Sequence, residues 1–507
     1  MKKTLSLRII AMLLALLLCS CAALISCADQ TNDPSDGESS PDEGNGDQSG
    51  DDGQEGSSKP PSYLPLTTYD GAEVHILEWS ANQAEIGSTW IPWEEIDVDE
   101  GDGDPLNNAI YDRNGLVEET YDVVITKEYR DVNDDLYTTT VRTNESSGDQ
   151  AYQMITLRTF NIPTLCMENL MMDMNTLEYL HTDMPWWSQD SVHSYTMGDA
   201  LFFAAPEMLL RDKGATAVMF FNQKIAADEN IEDLYTIAED GEWTWELMIE
   251  LAQSVVADMN GDDEINSIED MYGLEGGERD LLYLLYSGTG MKFADIDADG
   301  YLQLNFGDDV SITTWQEIMD SVMYTDFYFY NNVDKTTLSD GYSIFRMDRA
   351  LFKADMVKSV LSLRNMESDY GVLPIPKYDK YQDDYSSLVW MHYDSVLGIP
   401  GSCTNADMVS VVLEYMSYLS YQNVYPIFYD TIILGKSARD EQSKQMLELA
   451  FKTRMIDPGQ VYLGAFDATF LNAFILKNNN PASLWGSIET QVAAQLDEYN
   501  QKIDELS

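Results

Sequence analysis

Cysteine and histidine are scarce in this sequence of 507 residues, which has five cysteines and four histidines. No CxxC pair, Cys/His cluster, HExxH or GxSxG motif occurs in it. The sequence therefore gives no indication of a zinc site or of a hydrolase that depends on one of these motifs. Beyond Cys27 only Cys166 and Cys403 remain, which excludes a disulfide-rich scaffold but leaves a single bridge between them open.

Basic residues are also few, because 29 Lys and Arg stand against 88 Asp and Glu, for a formal net charge of −59. This imbalance excludes non-specific nucleic-acid binding as the main task and argues against a surface that lies on anionic lipid. A field of this sign repels polyanionic ligands, unless a local basic site overrides it.

The first 27 residues have the pattern of an export signal that ends in a lipidation site. Lys2, Lys3 and Arg8 precede an almost wholly apolar run over residues 9–25, as in a secretory signal peptide. The run ends in LISC at 24–27, which resembles the bacterial lipobox, whose cysteine receives a diacylglyceryl group. We expect removal of residues 1–26 and lipidation of Cys27. LCSC at 18–21 is a second candidate box, and a plain cleaved signal or an uncleaved anchor are the alternatives.

Residues 27–62 are rich in Asp, Glu, Gly, Ser, Pro and Gln and almost free of apolar side chains. Such a segment buries too little surface to offset its ordering entropy, so we predict disorder. After a lipidated cysteine it would serve as an acidic tether that holds a domain at the extracellular face of the cell membrane.

From residue 63 onward, short apolar runs alternate with amphipathic helical stretches. Residues 74–79, 123–126 and 152–157 have the pattern of strands, and Thr244 is a good N-cap for a helix over residues 245–257. This alternation predicts an α/β fold with largely parallel strand pairing.

Several stretches, in this order, resemble the extracellular solute-binding lipoproteins of ABC importers in Gram-positive bacteria, in the sugar-binding class related to maltose-binding protein. The similarity covers residues 63–507. The stretches are DPLNNAIYDRNGLVEETY at 104–121, PWW at 185–187, VMFFN at 218–222, EWTW at 242–245, DMNGD at 258–262, DMYG at 270–273, GVLPIPK at 371–377 and RD at 439–440.

The resemblance implies a two-lobe, periplasmic-binding-protein-like α/β fold with hinge crossovers and an interlobe cleft. Lobe one would hold residues 63–215 and 403–455, and lobe two residues 218–398 and 456–507. The implied function is that of the substrate-binding subunit of an ABC transporter, a monomer and not an enzyme. It would capture a carbohydrate, expected to be an oligosaccharide, by hinge closure and deliver it to membrane permease subunits. A surface carbohydrate receptor or adhesin on the same fold and a surface glycoside hydrolase are the alternatives.

Sugars present polar edges and apolar faces, so their sites combine aromatic rings with planar polar groups. Candidates are residues at strand ends that resemble cleft positions of the family, with others in the C-terminal lobe. They are Trp79, Arg158, Phe160, Glu275, Trp390, Asp467 and Phe470.

Residues 258–269 match the spacing of an EF-hand calcium loop. The departure is Asp263, which stands where glycine normally makes the sharp turn. An acidic solvated turn is the alternative, and the run at 295–300 is interpreted as a hairpin turn. The candidate Ca²⁺ ligands, for a structural role, are Asp258, Asn260, Asp262, Glu264, Asn266 and Glu269.

Overall fold

The computed structural model describes residues 58–79, 93–99, 103–130, 134–277, 279–330, 343–434, 441–473 and 476–506. The predicted signal peptide, Cys27 and most of the predicted tether lie outside the described residues. The last part of the predicted tether contacts the fold, since the Tyr415 hydroxyl donates to the Ser58 carbonyl at 2.8 Å.

The strands in chain order are β1 (Ala72–Trp79), β2 (Val123–Arg130), β3 (Met154–Leu157), β4 (Thr196–Met197), β5 (Ala200–Leu201), β6 (Ala217–Asn222), β7 (Tyr272–Gly276), β8 (Ala294–Ile296), β9 (Leu302–Leu304), β10 (Tyr328–Tyr330), β11 (Ala350–Met356), β12 (Tyr370–Leu373), β13 (Ser387–Leu388), β14 (Val396–Gly398) and β15 (Arg454–Met455). β8 and β9 pair antiparallel around the run at 295–300, which is the predicted hairpin.

The α-helices are α1 (Pro105–Tyr121), α2 (Asp134–Ser147), α3 (Ile162–Met167), α4 (Gln189–Tyr195), α5 (Leu210–Gly214), α6 (Gln223–Asp228), α7 (Leu234–Glu239), α8 (Trp245–Ser254), α9 (Leu281–Gly288), α10 (Asp309–Val322), α11 (Val360–Leu363), α12 (Ala406–Leu419), α13 (Tyr425–Ile427), α14 (Glu441–Lys452), α15 (Pro458–Tyr462), α16 (Ala465–Phe470) and α17 (Pro481–Leu506). Thr244 caps α8 as predicted, because its side chain accepts a hydrogen bond from the Leu247 amide at 3.4 Å.

Two sheets form the centres of the two lobes. In the first, with strand order β14-β3-β1-β2, β1 runs parallel to β2 and β3, and β14 is antiparallel to β3. In the second, with order β10-β7-β11-β6-β12, β7 is parallel to β10 and β11, whereas β6 is antiparallel to both β11 and β12.

The antiparallel pairs depart from the predicted, largely parallel pairing, and the chain path explains them. β6 follows directly on a passage from the first sheet, so it enters the second sheet from the side where β7 and β11 end. β14 returns to the first sheet in the same way and meets β3 antiparallel. Strands that carry the chain between lobes therefore oppose their neighbours.

Three chain segments, around residues 216, 389 and 454, contact one another through backbone pairing. Thr216 forms a bridge with Val389, and β13 pairs in parallel with β15. Adjacent backbone connections of this kind suit a hinge, because small backbone rotations in each can move one lobe against the other.

The buried apolar residues form two core clusters, and the larger one contains an aromatic cluster that includes Phe306, Trp315 and Phe470. Phe470 is fully buried there, with its ring centroid 5.1 Å from that of Trp315 and 5.2 Å from that of Phe306. Cys166 and Cys403 are both buried and free, so the bridge left open by the sequence is not formed.

Candidate functional site

A cavity of about 360 Å³ opens where strands of both sheets end. Arg158 follows β3 of the first sheet, while Gly277 follows β7 and Lys358 follows β11 of the second. In α/β sheets, ligands bind beyond the carboxyl ends of the strands. The described residues that line the cavity are Arg158, Gly277, Arg279, Asp280, Asp355, Met356, Lys358, Trp390, His392, Tyr393 and Leu471.

The segment between β13 and β14 supplies the aromatic wall of the cavity. The Trp390 amide donates to the Ala215 carbonyl at 3.0 Å, which fixes this segment against the first passage between lobes. The Trp390 ring meets Tyr283 nearly edge-on at 5.7 Å between centroids. Trp390 is buried in this conformation, and it is the predicted aromatic residue that lines the cavity.

His392 brings together two other predicted residues. Its Nε2 lies 2.7 Å from Oδ1 of Asp467, and its ring lies 4.8 Å from the ring of Phe160. Phe160 follows β3 and Asp467 belongs to α16, so the imidazole links the first lobe to the C-terminal segment. Sequence reasoning missed His392, although its place two residues after Trp390 was a usable signal.

Trp79 lies behind the cavity wall and is only 3% exposed. Its ring contacts two guanidinium groups, that of Arg211 at 4.9 Å and that of Arg158 at 5.6 Å from the ring centroid. Its indole N–H donates to the Ser395 hydroxyl at 3.3 Å. Trp79 therefore supports Arg158, which lines the cavity, and does not itself line it in this conformation.

Arg211 is held beneath Trp79 by two carboxylates. Its guanidinium lies 2.8 Å from Glu78 and 2.8 Å from Glu95, and all three side chains are buried. Burial raises the pKa of Glu95 to about 7, although Arg211 acts in the opposite direction. Such a buried, paired network rigidifies the structure around Trp79, whose ring contacts the Arg158 guanidinium.

The wall from the second lobe is rich in charge. Asp355 Oδ2 lies 3.0 Å from Lys353 Nζ. Burial raises the pKa of Asp355, but Lys353, Lys358 and the Met356 amide together hold it below its usual value. Burial lowers the pKa of Lys358, whose Nζ lies 4.1 Å from the centroid of the Tyr393 ring. Burial, with the Asp355 carboxylate, raises the pKa of Asp280 to about 6.

Glu275 and Phe470 lie apart from the cavity lining. Glu275 is fully buried, pairs with Lys353 at 3.1 Å, and accepts hydrogen bonds from Ser343 and the Phe345 amide at 2.7 Å each. Phe470 belongs to the aromatic cluster of the core. In this conformation both side chains are occupied by structural contacts, so neither is placed to meet a solute in the cavity.

Asp394 is a buried carboxyl group next to the cavity that the sequence did not indicate. Its Oδ1 accepts a hydrogen bond from the Thr159 amide at 2.9 Å, and its Oδ2 accepts one from the Thr159 hydroxyl. Burial raises the pKa of Asp394 to about 8, although these bonds act to lower it. The pair joins the returning passage between lobes to the end of β3.

In the candidate calcium loop, side-chain oxygens accept hydrogen bonds from backbone amides of the loop itself. Asp258 accepts from the amides of Gly261 and Asp263 at 2.6 and 2.8 Å, and Asp262 accepts from the Glu264 amide at 3.0 Å. Asp263 has φ 65°, which is the left-handed conformation that its position in an EF-hand requires. Among the described residues, no three His, Cys, Asp or Glu side chains come together as metal ligands.

Asp270 closes this loop, a role that sequence spacing did not reveal. Its carboxylate accepts from the amides of Met259, Asn266 and Ser267 at 3.0–3.2 Å. Although burial raises its pKa, these hydrogen bonds prevail and the pKa of Asp270 is lowered. The backbone conformation of the turn fits a calcium loop. The candidate ligand side chains do not converge on one point in this conformation, so calcium binding stays a prediction.

No protein-family model and no curated protein matches the chain. Solved structures of similar fold exist. The galacto-N-biose/lacto-N-biose I-binding protein of the Bifidobacterium longum ABC transporter, in complex with lacto-N-biose, has a TM-score of 0.57 at 10% identity and covers 85% of this chain and 98% of that one. An ABC substrate-binding protein from Listeria monocytogenes, in complex with cycloalternan, has a TM-score of 0.53 at 11% identity, with 86% and 100% covered.

A third similar structure has a ligand of another kind. UgpB from Mycobacterium tuberculosis, in complex with glycerophosphocholine, has a TM-score of 0.52 at 11% identity and covers 84% of this chain and 98% of that one. At such low identity the likeness establishes the fold and not the ligand. The chain has the predicted two-lobe α/β fold of ABC-transporter solute-binding proteins.

Proposed function

We propose that this protein is the extracellular substrate-binding subunit of an ABC importer and that it captures a carbohydrate between its lobes. The observation that carries the proposal is the cavity itself, lined by Arg158 after β3, by Lys358 after β11, and by Trp390 on the segment that connects the lobes. A solute there touches both lobes and their connection at once. The sugar complexes among the structures of similar fold agree with this assignment.

Capture would proceed by hinge closure. A solute that contacts both lobes stabilises the arrangement in which these contacts coexist, so binding selects the closed form. The three segments between the sheets are the natural hinge. Release to permease subunits then requires only that the lobes separate, and no bond in the solute is made or broken.

The side chains in the cavity suit a small polar solute. Trp390 offers a ring for the apolar face of a sugar, and the planar guanidinium of Arg158 can donate to two oxygens. The volume of about 360 Å³ lies at the lower end of the range for small-molecule pockets, roughly 300–1,000 Å³. In this conformation the cavity therefore favours a small saccharide over a long one.

The proposed location is the outer face of the cell membrane, with lipid on Cys27 and residues 28–57 as tether. The support is the LISC box and the acidic, polar composition that follows it. None of the helices in the described part of the chain is both long and apolar enough to span a bilayer. A lipid anchor would keep a monomeric receptor near the permease subunits without a spanning helix.

Screening by thermal shift against mono-, di- and oligosaccharides tests the proposed function. A ligand that binds only the folded state raises the melting temperature, and the stabilisation grows with the logarithm of its concentration over its Kd once that ratio is well above one. We expect at least one saccharide to raise the melting temperature. The concentration of that saccharide should stay constant over hours, because the protein binds it without cleaving it. Formation of a cleaved product would favour the hydrolase alternative, and stabilisation by no saccharide would contradict the proposal.

A further inference from the structure

The cavity is unusually basic for this chain. Three of its eleven described lining residues are Lys or Arg, against 29 in the 507 residues of the whole sequence. Its two acidic lining residues match the overall frequency of 88 in 507. Cations are thus concentrated at one place on a protein whose general field is strongly negative.

One of the two acidic lining residues is already paired. Asp355 Oδ2 lies 3.0 Å from Lys353 Nζ, and Asp355 Oδ1 accepts from the Met356 amide at 2.8 Å. Lys353 is itself buried and not part of the lining. Lys353 also pairs with Glu275 at 3.1 Å, so it does not remove Asp355 from the charge count. Three lining cations stand against two lining carboxylates, and this small excess of positive formal charge favours an anion.

Two of the cations face the cavity from opposite lobes. Arg158 follows β3 of the first sheet and rests on Trp79, and its Nη1 donates to the His392 carbonyl at a long 3.5 Å. Lys358 follows β11 of the second sheet. Burial disfavours its charged form and lowers its pKa, although the Asp355 and Asp280 carboxylates act in the opposite direction. A negatively charged group between them would relieve that penalty and would draw the two lobes together.

We propose that the solute carries an anionic group, a sugar carboxylate or a sugar phosphate, and that Arg158 and Lys358 bind this group from the two lobes. The proposal rests on the function proposed above and specifies its substrate class. Arg158 offers two parallel donors that match the oxygens of either group, and Lys358 offers a compact positive charge. The local cations would then override the repulsion that the net charge exerts on an anion.

Calorimetry with matched pairs of probes tests this inference on the folded chain. The pairs are galacturonate with galactose, glucuronate with glucose, and glucose 6-phosphate with glucose, and inorganic phosphate is measured alone. We expect one acidic sugar to bind at least tenfold more tightly than its neutral partner. Whether the uronate or the phosphate pair shows the difference identifies the source of the charge, and inorganic phosphate should bind far more weakly than the preferred sugar.

Variants then assign the preference to the two residues. Arg158→Gln and Lys358→Met should each reduce the acid-to-neutral ratio at least tenfold, whereas Lys358→Arg, which keeps the charge, should retain most of it. Lys224→Met is the matched control, because Lys224 is an exposed lysine paired with Asp228 on α6. Lys358→Met keeps the test decisive if loss of the buried Arg158 impairs folding.

Two results would overturn the inference. One is equal or tighter binding of the neutral member in every pair, which leaves the proposed carbohydrate function standing. The other is an acid preference that survives Lys358→Met unchanged. Failure of every saccharide, neutral or acidic, would instead count against the proposed function itself.

Discussion

His392 and Asp467 are joined by a contact of 2.7 Å between Nε2 and Oδ1. Their side chains are 19% and 11% exposed, and His392 belongs to the cavity lining, so the pair lies at the edge of the cavity. Since His392 belongs to the segment between the lobes and Asp467 to α16, the contact fixes the orientation of a ring in the cavity wall.

Removing either member of this pair should cost stability in a coupled way. We expect His392→Gln, Asp467→Asn and the double variant to form a cycle with an interaction energy of about 0.5–3 kcal/mol, the range for residues in direct contact. Urea denaturation of the four proteins measures it. Additive effects of the two substitutions would show that the contact contributes nothing.

Asp394 should make the protein less stable as the pH rises. Because its folded pKa of about 8 lies above that of an ordinary aspartate, its contribution is complete at pH below about 4 and is lost as the pH rises through about 8. Asp394→Asn, which mimics the protonated acid beside Thr159, should flatten this decline by at most about 1.4 kcal/mol per pH unit.

Urea denaturation at several pH values between about 5 and 8 gives the slopes of stability against pH. Asp320→Asn on α10 is the control, because this carboxylate is exposed, and its slope should equal that of the wild type. A slope for Asp394→Asn as steep as that of the wild type would place the responsible proton elsewhere.

Calcium should raise the melting temperature through the loop at residues 258–269. We expect Asp262→Ala combined with Glu269→Ala to abolish the rise, because both remove ligand oxygens that the spacing assigns to the ion. Asp299→Ala, in the acidic hairpin turn between β8 and β9, should leave it intact. Absence of any calcium effect on the wild type would favour the solvated turn.

Asp270→Asn separates loop architecture from metal binding. The Asp270 carboxylate accepts hydrogen bonds from three backbone amides of the loop, so this substitution should lower stability with and without calcium. Its effect should be largest at neutral pH and fade as the pH falls below about 4, because a carboxylate with a lowered pKa contributes only while ionised.

Replacing Cys27 with Ser should release the protein from membranes or stall its processing. The serine hydroxyl cannot form the thioether that anchors a lipoprotein. Cys21→Ser tests the second candidate box and should fractionate like the wild type. Cell fractionation with lipid labelling decides between them, and lipid on Cys27→Ser would show that another residue is modified.

The order of strands and helices was predictable from the sequence, since strand and helix periods differ and Thr244 marks a helix start. Strand direction was harder. β6 and β14 have the same apolar pattern as their parallel neighbours, and only the passage of the chain between lobes makes them antiparallel. A pattern of burial contains no information on the side from which a strand enters a sheet.

For the site, position at a strand end was a useful but incomplete guide. Two candidates chosen in this way, Arg158 and Trp390, line the cavity, and a third, Phe160, meets the C-terminal candidate Asp467 at His392. The same criterion selected Glu275, whose partner Lys353 is 78 residues away in sequence. Phe470 was a candidate of the C-terminal lobe, and its neighbours in the aromatic cluster come from distant segments. Lys358 was missed because a single lysine after an apolar strand resembles any solvated charge.

Calorimetry on Trp390→Leu with a saccharide found by screening is the most direct test that the solute binds in this cavity. Loss of the ring should weaken binding about 5- to 150-fold, corresponding to about 1–3 kcal/mol for an aromatic contact. Tyr381→Ala is the control, because that ring is 81% exposed and outside the cavity lining. A folded Trp390→Leu protein that binds the saccharide as tightly as the wild type would contradict the account.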